Sequence, residues 1–168
     1  MVSWNRTPWP PKEPPPLGIK PGKKLTVAAV AAILRNTSGP GRPLSSPRTQ
    51  ECAVFQLRSG MPPQIGCIYW RTTAEPAVSV LIPWYVGITA TPASYCRGAD
   101  VQTQLSLDHH FNPPPGTFDS DPKLAWWTFK TLQDLVREDY RQRIQIVRPV
   151  WAEFEQDVFA KQAAVEKQ

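Results

Sequence analysis

The middle of the chain, residues 53–85, reads AVFQLRSGMPPQIGCIYWRTTAEPAVSVLIPWY. Three segments of it, 53–59, 65–72 and 78–85, are rich in the β-branched and aromatic residues that favour strands. They are separated by GMPPQ and TAEPA, whose glycine and prolines are typical of turns. Three short strands with tight connections predict an antiparallel meander. Because proline has no N–H to donate, Pro83 predicts that the third strand lies at an edge of the sheet or ends there.

A helix is predicted before this sheet. Thr26 is a good N-cap because its hydroxyl can accept a hydrogen bond from the first turn, and the run VAAVAAILR that follows is rich in helix formers. Four apolar residues at helical spacing predict a face that packs on a partner: Val27, Val30, Ile33 and Leu34. Residues 36–50, which read NTSGPGRPLSSPRTQ, predict a loop.

Two helices are predicted after the sheet. Asp119, Ser120 or Asp121 can cap the first, with Pro122 in the first turn, where proline is tolerated. Its apolar residues recur at helical spacing: Leu124, Trp127, Leu132, Leu135 and Val136. Pro149 interrupts the pattern, so a second helix is predicted beyond it. The apolar side of that helix is formed by Val150, Trp151, Phe154 and Val158.

The charge and the composition divide the chain into three parts. Residues 1–24 form a proline-rich leader with five basic residues and one acidic residue, which holds four of the chain's net +5 charges. We interpret this leader as a solvated arm, because no block of like charge or alternation of aromatic and basic residues elsewhere predicts a nucleic-acid face. The apolar run at 27–34 is too short to cross a membrane. The sequence therefore predicts an α+β domain at 25–160, followed by a polar, frayed tail at 161–168, with neither nucleic acid nor membrane as a partner.

Several segments, taken in chain order, resemble the cysteine N-terminal-nucleophile dipeptidases, the dipeptidase A type related to secernins. They are LGIKPGKKLTVAAVAAIL at 17–34, FQLR at 55–58 followed by Met61 and Pro62, IGCIYW at 65–70, VLIPWYVG at 80–87, PASY at 92–95 and FDSDPKLAWWTF at 118–129. Each segment is short, but their order makes the resemblance specific. It covers the chain from about Leu17 to about Glu155.

The resemblance implies a fold and an activity. The fold would be a partial αββα sandwich of the N-terminal-nucleophile hydrolases, and the activity would be hydrolysis of dipeptides without a cofactor. The family's nucleophile is a cysteine at the mature N-terminus, whose own α-amino group is the base. Residues 1–16 have no likeness to the nucleophile strand, and Cys67 stands where the family pattern has glycine. We therefore expect a C-terminal portion that lacks the catalytic cysteine and is inactive alone.

Two residues of the predicted sheet are candidates for a functional site. Cleavage between Glu51 and Cys52 would expose a cysteine before an apolar run, but Cys52 adjoins the family's QLR strand and not its catalytic strand. A buried or partly buried thiol is the favoured interpretation. Arg58 is the polar residue of an apolar strand, and its planar guanidinium could bind the carboxylate of a dipeptide substrate. It could equally pair with a structural acid, and that alternative is favoured on general grounds.

Two further hypotheses need the structure. Asp108, His109 and His110 invite a metal site, but adjacent histidines in a strand point to opposite faces and no third ligand follows at a usable spacing, so we interpret them as solvated loop residues. The chain could also be a non-catalytic module that exposes apolar sheet and helix faces to a partner chain or to a second copy of itself.

Overall fold

A three-stranded antiparallel sheet forms the centre of the fold. In this computed structural model, which describes residues 22, 24–38, 43–96 and 106–167, the strands are β1 (Glu51–Leu57), β2 (Cys67–Thr73) and β3 (Ile82–Tyr85). Their order in the sheet is β1-β2-β3, so the predicted meander is confirmed. Pro83 lies opposite Trp70 in β3, which is an edge strand as predicted.

The strand boundaries differ from the prediction because pairing and turns override local composition. β1 begins two residues early, since Glu51 and Cys52 pair with Thr73 and Thr72 of β2. β2 begins late, because a short helix, α2 (Pro63–Gly66), takes up the start of the segment predicted as a strand. The third strand is only four residues long: Pro76–Val78 forms a 3₁₀ turn, and the strand begins at Ile82 and not at Val78 as predicted.

The helix α1 (Val27–Leu34) begins at the predicted cap. The hydroxyl of Thr26 accepts a hydrogen bond from the N–H of Ala29 at 3.1 Å. The predicted apolar face is partly wrong: Ile33 is 40% exposed, and the residue of α1 that is fully buried is Ala31. A small side chain lets the helix approach the sheet closely, and hydrophobicity alone does not predict that.

The C-terminal helices are α4 (Ala125–Glu138) and α5 (Tyr140–Val165); a short helix, α3 (Leu107–Phe111), and a 3₁₀ turn, Ala93–Tyr95, lie between the sheet and α4. The prediction that Asp119, Ser120 or Asp121 caps α4 is wrong. The carboxylate and carbonyl of Asp121 instead accept hydrogen bonds from the N–H groups of Lys123 and Leu124, which forms a turn, and Leu124 is the N-cap of α4.

The predicted break at Pro149 is also wrong, because α5 continues through this residue. Pro149 lacks the N–H that would bond the carbonyl of Gln145, but both residues are exposed, so water can satisfy that carbonyl. The break between the two helices lies at Asp139, whose side chain accepts the N–H of Gln142 at 3.3 Å. The helix extends to Val165, beyond Lys161, where the tail was predicted to begin.

The helices pack on one face of the sheet. Ile68 and Trp70 of β2 are buried there with Ala31 of α1 and Leu81, and the rings of Trp70 and Phe159 of α5 lie 5.0 Å apart. A second cluster joins the α4–α5 pair to the turn at Val78, through Val136 and Ile144. Residues 72–81 run between these clusters and are buried throughout. The predicted α+β class is therefore confirmed.

The opposite face of the sheet is open in the part of the chain that the structure describes. Phe55 and Leu57 of β1 point away from the core and are 69% and 73% exposed. Phe55 stacks on Tyr69, its cross-strand partner, with ring centroids 5.1 Å apart. The sheet thus has one face covered by helices and an opposite face on which Phe55 and Leu57 are exposed, beside the ion pair of Arg71 and Glu51.

The division into 1–24, 25–160 and 161–168 stays a prediction. Apart from Gly22 and Lys24, the leader lies outside the described residues. No helix within the described ranges is long and apolar enough to cross a membrane.

Candidate functional site

Arg58 lies directly after β1, where the chain turns towards α2. Its backbone N–H donates to the carbonyl of Gly66 at 3.0 Å, which fixes the start of the side chain. The two terminal nitrogens of its guanidinium donate to the two carboxylate oxygens of Glu166, at 2.8 and 2.7 Å. One of them also donates to the carbonyl of Ile65. This parallel, two-pronged geometry is the strongest way in which a protein binds a carboxylate.

Two further donors meet the same carboxylate. The hydroxyl of Tyr85, the last residue of β3, donates to Oε1 of Glu166 at 3.0 Å. The amide of Gln162, one turn earlier on α5, donates to the same oxygen at 2.9 Å. Residues from β3, α5 and the end of β1 therefore converge on one carboxylate, and we call Arg58, Tyr85 and Gln162 the carboxylate cradle.

The hydrogen bonds between the cradle and Glu166 shift the pKa values of the groups on both sides. Hydrogen bonding from Arg58 lowers the pKa of Glu166 to about 2, and the bonds from Gln162 and Tyr85 act in the same direction. Burial raises the pKa of Tyr85 to about 12, helped by its hydrogen bond to Glu166. The hydrogen bond to Glu166 also raises the pKa of Arg58. The protonation state of each group is therefore fixed at neutral pH: Arg58 is cationic, Tyr85 is neutral and Glu166 is anionic.

Two shallow grooves border the cradle. One, of about 200 Å³, runs between the sheet and α5 and is lined by Trp70, Pro83, Tyr85, Val158, Gln162 and Val165, together with the charged residues Asp157 and Lys161. The other, of about 240 Å³, lies towards α2 and is lined by Gln64, Ile65, Pro83, Tyr85, Gly87 and Ile88. Tyr85 contributes to both grooves, so the cradle lies next to two mainly apolar surfaces of a size that suits small side chains.

The sequence singled out Arg58 but missed its partners. Glu166 and Gln162 belong to the stretch predicted as a polar tail, and Tyr85 was assigned only a place in a strand. The spacing of Gln162 and Glu166, four residues apart, would place both on one helix face, but only if the helix were known to continue. The structure brings Arg58 together with a structural acid, which was the favoured alternative.

Cys52 lies in β1 as a free, half-buried thiol. Burial raises its pKa, and the neighbouring Glu51 adds to this effect. A cysteine nucleophile needs the opposite shift, because only the thiolate attacks. The backbone N–H of Cys52 also donates to the hydroxyl of Thr72 at 3.0 Å, so a cut before Cys52 would sever a paired strand. Cys67 and Cys96 are free as well.

His109 and His110 lie in the short helix α3, so the prediction that they are loop residues is wrong. The ring of His110 contacts Phe111 edge to face, with centroids 5.0 Å apart. Within the described ranges, no group of three histidine, cysteine, aspartate or glutamate side chains is arranged to hold a metal ion.

A second polar cluster lies around the buried segment 72–81. The carboxylate of Glu75 is fully buried and accepts hydrogen bonds from Arg137, at 2.8 Å to Oε2, and from Ser45 at 3.2 Å. Its backbone N–H donates to Gln133 at 3.0 Å. The members of this cluster bind one another, so its role is to fix the segment in place.

The comparisons with known proteins agree with the resemblance. The profile of peptidase family C69 matches residues 6–153. A protein of Salmonella dublin described as "Probable dipeptidase" is 34% identical over 92 residues, an alignment that covers 46% of this chain and 21% of that protein. This chain thus spans about a fifth of the length of the curated relative that it matches. No solved structure matches.

A match of this extent, together with the order of the segments quoted from the sequence, is decisive for the family. The chain belongs to peptidase family C69.

Proposed function

We propose that this chain is a portion of a cysteine-type dipeptide hydrolase. The observation that carries the proposal is the family match over residues 6–153, supported by the dipeptidase description of the relative and by the small share of that relative which the chain spans. Dipeptides would be the substrates of the whole enzyme, and the thiol and free amine of a terminal cysteine would perform the chemistry.

The αββα sandwich of the N-terminal-nucleophile hydrolases is part of the same proposal. In a four-layer sandwich each sheet has helices on one face and a second sheet on the other. The helices on the Trp70 face and the exposed Phe55 and Leu57 on the opposite face are what one such half would have. This support is architectural and independent of the family match.

The 168-residue chain by itself is proposed to be inactive. Cys52, the thiol that cleavage after Glu51 would free, is a poor nucleophile, because burial raises its pKa and its backbone amide is already hydrogen-bonded within the sheet. Incubation of the purified chain with a panel of dipeptides, followed by detection of free amino acids, should show no turnover. Turnover that Cys52→Ala abolishes and Cys96→Ala preserves would overturn the proposal.

A second candidate function is an interaction module, and the exposed side chains of Phe55 and Leu57 favour it. Contiguous apolar surface that is open to water normally marks an interface. Size-exclusion chromatography with light scattering would detect self-association, and a variant with both Phe55→Ser and Leu57→Ser should then be monomeric. A well-folded monomer of the unmodified chain at high concentration would count against self-association.

A further inference from the structure

We propose that the carboxylate cradle of Arg58, Tyr85 and Gln162 is a binding site for the free C-terminal carboxylate of a short peptide, and that Glu166 occupies it as an intramolecular stand-in. The inference rests on the proposed function for its choice of ligand. It does not depend on that function for the existence of the site, which follows from the geometry alone.

The cradle is positioned by contacts other than Glu166. A terminal nitrogen of Arg58 donates to the carbonyl of Ile65, and the Arg58 backbone is bonded to Gly66. The amide of Gln162 donates at 3.3 Å to Gln56, which also accepts from the indole of Trp70 at 2.9 Å. Tyr85 lies in β3 opposite Ile68. The three donors would therefore keep their places if Glu166 left, as a preorganised site requires.

Glu166 lies at the C-terminal end of α5. It is the C-cap of α5, held to the helix by a backbone hydrogen bond to Gln162 at 3.1 Å, and helix ends fray by one or two residues. Gln162 lies one turn further inside the helix, so it stays in place when the last turn opens. Opening would expose the two-pronged face of Arg58 without loss of the rest of the cradle.

The guanidinium also retains unused capacity. Nε of Arg58 is buried and has no hydrogen-bond partner among the described residues. Glu166 therefore leaves one donor of the guanidinium unsatisfied. The apolar side chains that line the neighbouring grooves, Pro83, Val158 and Val165 among them, suit a ligand with an apolar C-terminal residue.

The consequence for binding is competition. A carboxylate tethered at the site competes at a high effective concentration with one in solution, so the unmodified chain should bind free carboxylates weakly. Removal of Glu166 should convert the occupied cradle into an open one. The same argument predicts that a neutral ligand of equal shape gains nothing, because the two-pronged bond to Arg58 needs a carboxylate.

The test uses the 168-residue chain with Glu166→Ala and three probes: alanyl-leucine, its C-terminal amide and acetate. Binding is measured by titration calorimetry and by the shift of the melting temperature, with Glu153→Ala, an exposed glutamate of the same helix, as the matched control. We expect Glu166→Ala to bind alanyl-leucine at least about tenfold more tightly than the Glu153→Ala control does. We also expect acetate to raise the melting temperature of Glu166→Ala and the C-terminal amide to leave it unchanged. A second substitution in the same variant, Arg58→Lys, should abolish binding, since lysine keeps the charge but not the planar, two-pronged donor geometry.

The outcomes separate the site from its ligand. Equal binding of alanyl-leucine and its amide, or no binding of any probe by a folded Glu166→Ala variant, would overturn the cradle as a carboxylate site. Stabilisation by acetate but not by alanyl-leucine would overturn the inference that the ligand is a peptide. The hydrolase proposal is tested separately, by the turnover of dipeptides. If Glu166→Ala does not fold, Glu166→Gln carries the same comparison, because it keeps the shape and loses the charge.

Discussion

Glu155 joins three separate parts of the fold. Its carboxylate is buried in α5 and accepts hydrogen bonds from both terminal nitrogens of Arg35, one of them at 2.9 Å, and from the backbone N–H of Leu81 at 2.8 Å. Arg35 also donates to the carbonyls of Pro76 and Ser79, each at 3.1 Å. The pair therefore holds α1, the buried segment 72–81 and α5 together.

Glu155→Gln removes the charge and keeps the shape. The side-chain carbonyl of glutamine can still accept from Leu81, but the guanidinium of Arg35, which is only 10% exposed, loses its counter-charge. Breaking a buried pair by removing one partner costs about 3–5 kcal/mol, and the retained hydrogen bond places this variant near about 3 kcal/mol. For a chain of this size the melting temperature should fall by about 6–12 °C.

Urea denaturation followed by circular dichroism measures the effect. Glu153→Gln is the matched control, because Glu153 lies on the same helix and is exposed, so its free energy of unfolding should stay within about 0.5 kcal/mol of the unmodified chain. A variant with both Arg35→Met and Glu155→Leu should not recover the loss, because the buried N–H of Leu81 and the carbonyls of Pro76 and Ser79 would lose their partners. If Glu155→Gln and Glu153→Gln had the same unfolding free energy, the reasoning would be refuted.

Three further predictions concern other parts of the chain. The folded pKa of Glu166 is about 2 against an ordinary 4.5, so its contribution to the free energy of unfolding is full above pH 4.5 and is lost as the pH falls towards 2. With screening by water we expect this contribution to be about 1–2 kcal/mol. Urea denaturation should therefore show a gap in midpoint between the unmodified chain and Glu166→Gln at pH 6, and the gap should close towards pH 2. Gly87→Ala should destabilise by about 1–3 kcal/mol in the same assay, because its Cβ would lie 2.7 Å from Cβ of Gln64 and 2.9 Å from its carbonyl oxygen. Pro149→Ala should stabilise by about 1 kcal/mol, measured by calorimetry, because alanine supplies an N–H for the carbonyl of Gln145; a lower melting temperature would contradict this.

The local pattern predicted elements well where local chemistry decides them. Thr26 caps α1 because its own hydroxyl reaches the first turn, and Pro83 lies in an edge strand because it has no N–H to donate to a neighbouring strand. The boundaries failed where a longer-range effect competes. Pro149 lies inside α5 because residues beyond it, including Phe159, are held on the sheet by packing.

The sequence alone determined the α+β class, the order of strands and helices, and the family, because periodicity, turn residues and segment order are all written along the chain. Only the tertiary structure decided which charged residues are buried and what each one binds. Nothing local distinguishes Glu155 and Glu166 from the exposed Glu153. Their partners Arg35 and Arg58 lie 120 and 108 residues away, and burial follows from where the helices pack.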